Sequence, residues 1–301
     1  MVDMAFDRGV NFFDTANSYA DELSEVYLGK ALKGRRHKAV VASKFYNPMG
    51  DGPNESGMSR YHIMDAVDAS LRRLAMDHID VYYIHHVDQQ TPIEETLRAL
   101  DDLVRAGKVR YIACSNFEAW RLMDALWTAR CGGLETFVCY QPQYNLLVRD
   151  IEIELIPACV AKGLGVVTWG PLAGGFLSGK YAPGQRSLTG TRSEEGWAYP
   201  GNFFPENTDD ILRELLAVAK EIGRRPAETA IRWILEMPAI TSVIVGARTV
   251  EHLEANLAAA TWGMPPEAVK RLSDVSAPRI PYPQAMEWFR DDQRLSAIKQ
   301  Y

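Results

Sequence analysis

The 301-residue chain is 47% hydrophobic and 24% charged, with a net charge of −6, the composition of a globular protein long enough to bury a sizeable core. Acids and bases are mixed along it, so no basic run tracks a nucleic-acid backbone or an anionic membrane, and no apolar stretch approaches a bilayer span. The start MVDMAFDRGV lacks the basic and apolar blocks of a secretory signal, and the four cysteines (Cys114, Cys131, Cys139, Cys159) show neither C-x-x-C nor metal-type spacing. Buried free thiols in a reducing compartment, no metal and a cytoplasmic setting are the expectation.

In chain order, VDMAFDRG reads as the tail of a helix that feeds the first strand-like run, VNFF (10–13). AVVAS (39–43), IDVYYI (79–84), VRYIAC (109–114), TFVCY (136–140), GVVTW (165–169) and TSVIV (241–245) follow. Short apolar runs bounded by turns suit strands covered on both faces. Helical patterns lie between them: 59–75, TPIEETLRALDDLVRAG (91–107), 116–130 and 151–163, then two helices broken at Arg224–Pro226. In the clearest, Thr91 is expected as N-cap, Pro92 at the first helical position, Glu94 in a capping box and Gly107 as the left-handed stop.

Strand–helix alternation without a linker predicts one α/β domain over 1–301, built on a parallel sheet. An open doubly wound sheet and a closed (β/α)8 TIM barrel both fit; the absence of G-x-G-x-x-G after the first strand favours the barrel. Such a barrel closes with eight strands, and the sequence shows seven. The missing first strand is expected before Met1. The loops 47–59 and 179–207 are irregular, and the tail 277–292 is rich in Pro and aromatic residues; these are the expected determinants of substrate choice.

In such barrels the strand ends carry the active site. They deliver Asp14 and then Tyr19, Lys44, His85 and His86, Ser115 and Asn116, Gln141, Trp169, and finally VGARTVEHLEAN. Singly, each has a plain structural explanation: a turn cap, a strand-end lysine, a satisfied core histidine, a helix N-cap pair. Together, an acid, a phenol, a lysine and a histidine make a coherent set. A neighbouring ammonium favours ionisation of a phenol. A buried lysine needs a counter-ion, which Asp14 can be. A histidine can hydrogen-bond a substrate oxygen or relay its proton. The set suits protonation of a carbonyl oxygen while a hydride reaches the carbon, and the hydride must come from a cofactor.

GVNFFDTANSY, VVASK, IDVYYIHHVD, GKVRYIACSNF, YQPQYNLL, WGPLAGGFLSGKY and VIVGARTVEHLEANL resemble the aldo-keto reductases along nearly the whole chain. The resemblance implies a (β/α)8 barrel, an NADPH-dependent reductase of small carbonyl substrates, and a catalytic tetrad of Asp14, Tyr19, Lys44 and His85 with Tyr19 as general acid. It implies cofactor contacts from Ser115, Asn116 and Gln141 at the nicotinamide amide. Trp169 would stack in place of the usual tyrosine, and Leu172, Gly174 and Lys180 would lie on the pyrophosphate loop. Gly246, Arg248, His252 and Asn256 would serve the adenosine end, Arg248 gripping the 2′-phosphate. His252 and Ala255 depart from the family's usual residues there. Family members carry a hairpin and a first strand before the D-T-A-x-x-x-Y segment, in line with the expected missing strand. The loop PLAGGFLSGKY is closer to the potassium-channel beta-subunit branch, so a cofactor-binding sensor or partner subunit is the alternative, and an inactive truncated fragment a third.

Overall fold

The structure is a computed structural model and describes residues 1–186 and 204–286. The elements run α1 (Val2–Asp7), β1 (Phe12–Asp14), α2 (Leu23–Leu32), β2 (Val40–Phe45), α3 (Arg60–Leu74), β3 (Ile79–Ile84), α4 (Ile93–Arg105), β4 (Val109–Ser115), α5 (Ala119–Gly132) and β5 (Cys139–Gln141). They continue with α6 (Leu155–Lys162), β6 (Gly165–Thr168), α7 (Thr208–Glu221), α8 (Pro226–Leu235), β7 (Ser242–Val243), α9 (Val250–Leu257) and α10 (Pro266–Val275). The strands form one parallel sheet in strict chain order, β1 to β7. Sequence neighbours are therefore spatial neighbours, the winding of a (β/α) barrel. Seven strands match the sequence count, and no eighth occurs among the described residues.

Side-chain alternation along each strand sorts two layers. Ala42, Val81, Tyr83, Ala113, Cys139 and Val167 pack together on the inner face, with Phe12 and Ile244 against them. Their neighbours Val41, Tyr82, Ile84, Ile112 and Cys114 belong to a larger cluster that also takes in Ile63, Val67 and Leu74 of α3 and Leu97, Leu100 and Leu103 of α4. At Gly29 of α2 an added Cβ would lie 2.1 Å from the Leu74 carbonyl oxygen, so only glycine lets α2 sit so close to the end of α3.

Local signals fared unequally. Ser59 caps α3, accepting from the His62 N–H at 3.3 Å, and Pro226 opens α8. The capping box expected at α4 does not form. Pro92 is its N-cap, with no side-chain cap bond, and the Thr91 hydroxyl donates instead to Asp88 Oδ2 at 2.7 Å; the carboxylate is the stronger acceptor. Gly107 does take the left-handed conformation, at φ 75°. Four strands, β1, β5, β6 and β7, are shorter than the runs that predict them, because only part of each run is regular. Around β7 the backbone bonds still extend from Thr241 N–H to Val166 O (2.9 Å) and from Ile244 N–H to Thr168 O (2.8 Å).

Candidate active site

The alternation that builds the inner layer also aims the chemistry. Phe12 and Asp14 share parity, as do Ala42 and Lys44, Val81, Tyr83 and His85, Ala113 and Ser115, and Cys139 and Gln141. Polar side chains at the last inward position of successive strands thus converge above an apolar floor.

Lys44 is fully buried. Its Nζ pairs with Asp14 Oδ2 and donates to the Thr15 carbonyl at 3.0 Å. It stands 4.9 Å from the centre of the Tyr19 ring. Burial alone would lower the lysine pKa; the Asp14 charge and Tyr19 outweigh it, and the ammonium is held above its ordinary range. The His85 ring meets the Tyr19 ring edge-on at 5.7 Å and stacks on His86 at 4.6 Å. Burial, then the Lys44 charge and then His86, push the His85 pKa down to about 3. His85 is therefore neutral near pH 7. The Asn47 amide nitrogen faces its Nδ1 at 3.4 Å, a donor approach that leaves the ring proton on Nε2.

The segment that carries Tyr19 is bent hard. Ala20, Asp21 and Glu22 have φ of 51°, 49° and 71° in succession, and Tyr46, just beyond Lys44, has φ 134°. Such positions each cost about 1–3 kcal/mol in a non-glycine residue and persist where the surroundings over-determine them. Thr15 and Ser24 share a hydroxyl bond of 2.7 Å that closes the bend.

Ser115, Asn116, Gln141 and Trp169 are wired together beside this group. Ser115 Oγ donates to the Gln141 carbonyl at 2.6 Å. Asn116, left-handed at φ 59°, donates to the His85 carbonyl at 3.0 Å and accepts from Trp169 Nε1 at 3.1 Å. That last bond fixes the plane of the half-buried indole. Gln141 Nε2 donates to Asp14 Oδ1 at 2.8 Å. Leu172 precedes a tight turn in which Gly174 and Gly175 have φ 66° and 102°, and Lys180 is exposed at its end. Gly246, Arg248, His252 and Asn256 form a separate group on the turn from β7 into α9. There Thr249 caps the helix by accepting from the His252 N–H at 3.2 Å, and the Asn256 amide donates to the Gly246 carbonyl at 3.2 Å. The Arg248 and His252 side chains are exposed and Asn256 is buried.

Beside the site, half-buried Tyr46 meets His86 edge-on at 5.5 Å. Trp120 is 61% exposed on α5, and Trp197 lies outside the described residues. Sequence reasoning passed over Tyr83, whose ring lies 5.9 Å from Lys44 Nζ and whose hydroxyl meets Cys139 Sγ at 3.1 Å. Parity with Val81 and His85 was the available signal. It also passed over Arg73, Glu22 and Glu25, which no local pattern marks.

Comparison with known proteins agrees with this architecture. The model of the Aldo/keto reductase family matches residues 1–277. An uncharacterized oxidoreductase of Bacillus subtilis, YrpG, is 39% identical over 300 residues, covering 96% of this chain and 90% of that protein. A probable voltage-gated potassium channel subunit beta of Arabidopsis thaliana is 37% identical over 260 residues, covering 84% of this chain and 78% of its own length. Versiconal hemiacetal acetate reductase of Aspergillus parasiticus is 32% identical over 304 residues, covering 94% and 88%. The chain belongs to the aldo/keto reductase family. Membership and the oxidoreductases among its relatives support an oxidoreductase function, in a family that generally binds a reduced nicotinamide dinucleotide and acts on small carbonyl compounds. No helix among the described residues is long and apolar enough to cross a membrane.

Proposed function

We propose that this chain, as one barrel unit over 1–301, reduces an aldehyde or ketone to an alcohol with a hydride from NADPH. The observation that carries the reading is the fully buried Lys44 ammonium, clamped by Asp14 and set 4.9 Å from the Tyr19 ring. A charge without access to water acts on whatever touches it. Here it faces the Tyr19 ring.

Tyr19, 37% exposed, is the most exposed member of the set, and its hydroxyl donates the proton to the carbonyl oxygen. Lys44 stabilises the phenolate left behind. Asp14 keeps the lysine charged, and Gln141 keeps Asp14 oriented. Neutral His85 offers Nε2–H to the same carbonyl oxygen and fixes the substrate's approach.

The residues fit a phosphorylated dinucleotide. Trp169 presents an indole locked by Asn116, a face on which a nicotinamide ring can stack. The Gly174–Gly175 turn leaves backbone open, with no atom within 4 Å of a Cβ built at Gly175. Lys180 and Arg248 supply cationic ends, and a guanidinium suits a 2′-phosphate, which favours NADPH over NADH. Bound there, the dinucleotide supplies the hydride that no side chain can. Cys131 is exposed, contrary to the expected burial, while the free thiols Cys114, Cys139 and Cys159 are buried and support a reducing, cytoplasmic setting.

Titration with NADPH, followed by tryptophan fluorescence with Arg248→Ala as control, tests the cofactor half. A carbonyl panel tests the rest. The Arabidopsis relative supports a second reading, a cofactor-binding partner subunit. Tight NADPH binding with no turnover on any carbonyl, together with stable co-purification with a membrane channel, would favour it.

A further inference from the structure

Tyr19 leads directly into the left-handed run Ala20–Asp21–Glu22. None of the three is glycine, so each takes a backbone conformation that L residues avoid, and something outside the run must hold it. Arg73 of α3 does. Its Nη1 donates to Glu22 Oε1 at 2.9 Å, at the far end of the run. Its Nε donates to Glu25 Oε2 at 2.6 Å, and its Nη2 reaches Ser70 Oγ at 3.3 Å. Glu25 is fully buried, and its other oxygen accepts from Ser43 Oγ at 2.5 Å. Ser43 is the chain neighbour of Lys44. One planar fork therefore ties the turn that carries the phenol to the strand that carries the ammonium.

We propose that Arg73 and Glu22 are positioning residues for the Tyr19 phenol, acting through the left-handed turn; this rests on Tyr19 being the proton donor. Neither touches the Lys44 side chain or the Tyr19 ring. Glu22 is 49% exposed in its side chain, so its ion pair does little for folding. The pair sets where the turn points. The second arm of Arg73 has another duty, neutralising buried Glu25, and removing the whole guanidinium would strand that carboxylate and unfold the region. Glu22 is the separable end.

The test compares Glu22→Ala and Glu22→Gly in the full chain, with kcat, NADPH affinity and thermal midpoint measured for each. Alanine removes the clamp but keeps the penalty of φ 71°; glycine removes the clamp and accepts that angle freely. Glu22→Ala should lower kcat about tenfold, as small misplacements of reacting groups do, with NADPH affinity and midpoint close to wild type. Glu22→Gly should recover most of that loss. A Glu22→Ala enzyme with wild-type kcat overturns the proposal. So does an equal loss in both variants, which would show that the effect does not run through the backbone of the turn. Tyr19→Phe is measured alongside. If it turns over normally, the reductase reading fails on its own account, whatever Glu22 shows.

Discussion

Gln141 Nε2 donates to Asp14 Oδ1 at 2.8 Å across 127 positions of sequence, while the other oxygen of Asp14 holds Lys44. The carboxylate that keeps the lysine charged is thus itself oriented by a residue on β5. Gln141→Leu removes that bond and leaves a largely buried carboxylate oxygen without its donor. A hydrogen bond to a charged group is worth about 1.5–3 kcal/mol. The expected result is a fall in kcat of roughly tenfold or more, measured at saturating carbonyl and NADPH.

Lys44→Met separates charge from shape, since methionine fills most of the lysine's volume. Asp14 then lacks its cation, and Tyr19 its ammonium. Turnover should fall by about a thousandfold, the scale on which a preorganised charge acts in catalysis. Fluorescence titration should show the NADPH affinity changed by much less, because Lys44 is fully buried and pairs with Asp14.

The His85 pKa of about 3 against an ordinary 6.5 has a consequence for stability. Between those values the unfolded imidazole takes a proton that the folded one refuses. The unfolded state then binds more protons, and stability falls as pH falls. Urea unfolding midpoints should decline from about pH 6.5 downward, and His85→Gln should flatten part of that slope. A slope unchanged by the substitution would assign it to other groups, His86 among them, whose pKa burial and Lys44 also lower.

Gly29→Ala tests the packing that supports the turn after Tyr19. A Cβ at 2.1 Å from the Leu74 carbonyl oxygen cannot be accommodated by a side-chain rotation, since the obstacle is backbone. A loss of about 3 kcal/mol in denaturant unfolding is expected, as for an overpacked core.

Much of this architecture was legible in the sequence, and the reason is periodicity. Runs such as IDVYYI fix strands because they are apolar and short, and a polar residue ending the run on inward parity must point into the barrel. Asp14, Lys44, His85, Ser115 and Gln141 all follow that rule. The α4 cap was misread because Asp88, three residues before Thr91, competes for the hydroxyl, a contact that no S/T-x-x-E pattern contains. The clamp through Arg73 was invisible for a deeper reason. It joins positions about 50 residues apart, and the left-handed turn it holds carries no glycine to mark it. Tyr83 lay in plain view inside IDVYYI, but nothing in one strand says that its hydroxyl will meet Cys139 on another.

The most direct measurement is Tyr19→Phe, assayed for NADPH binding by tryptophan fluorescence and for NADPH-dependent reduction of a carbonyl that the wild-type chain turns over. Loss of the hydroxyl alone should leave binding within a few-fold of wild type and reduce turnover to background. Near-normal turnover in that variant would contradict the assignment of Tyr19 as the proton donor.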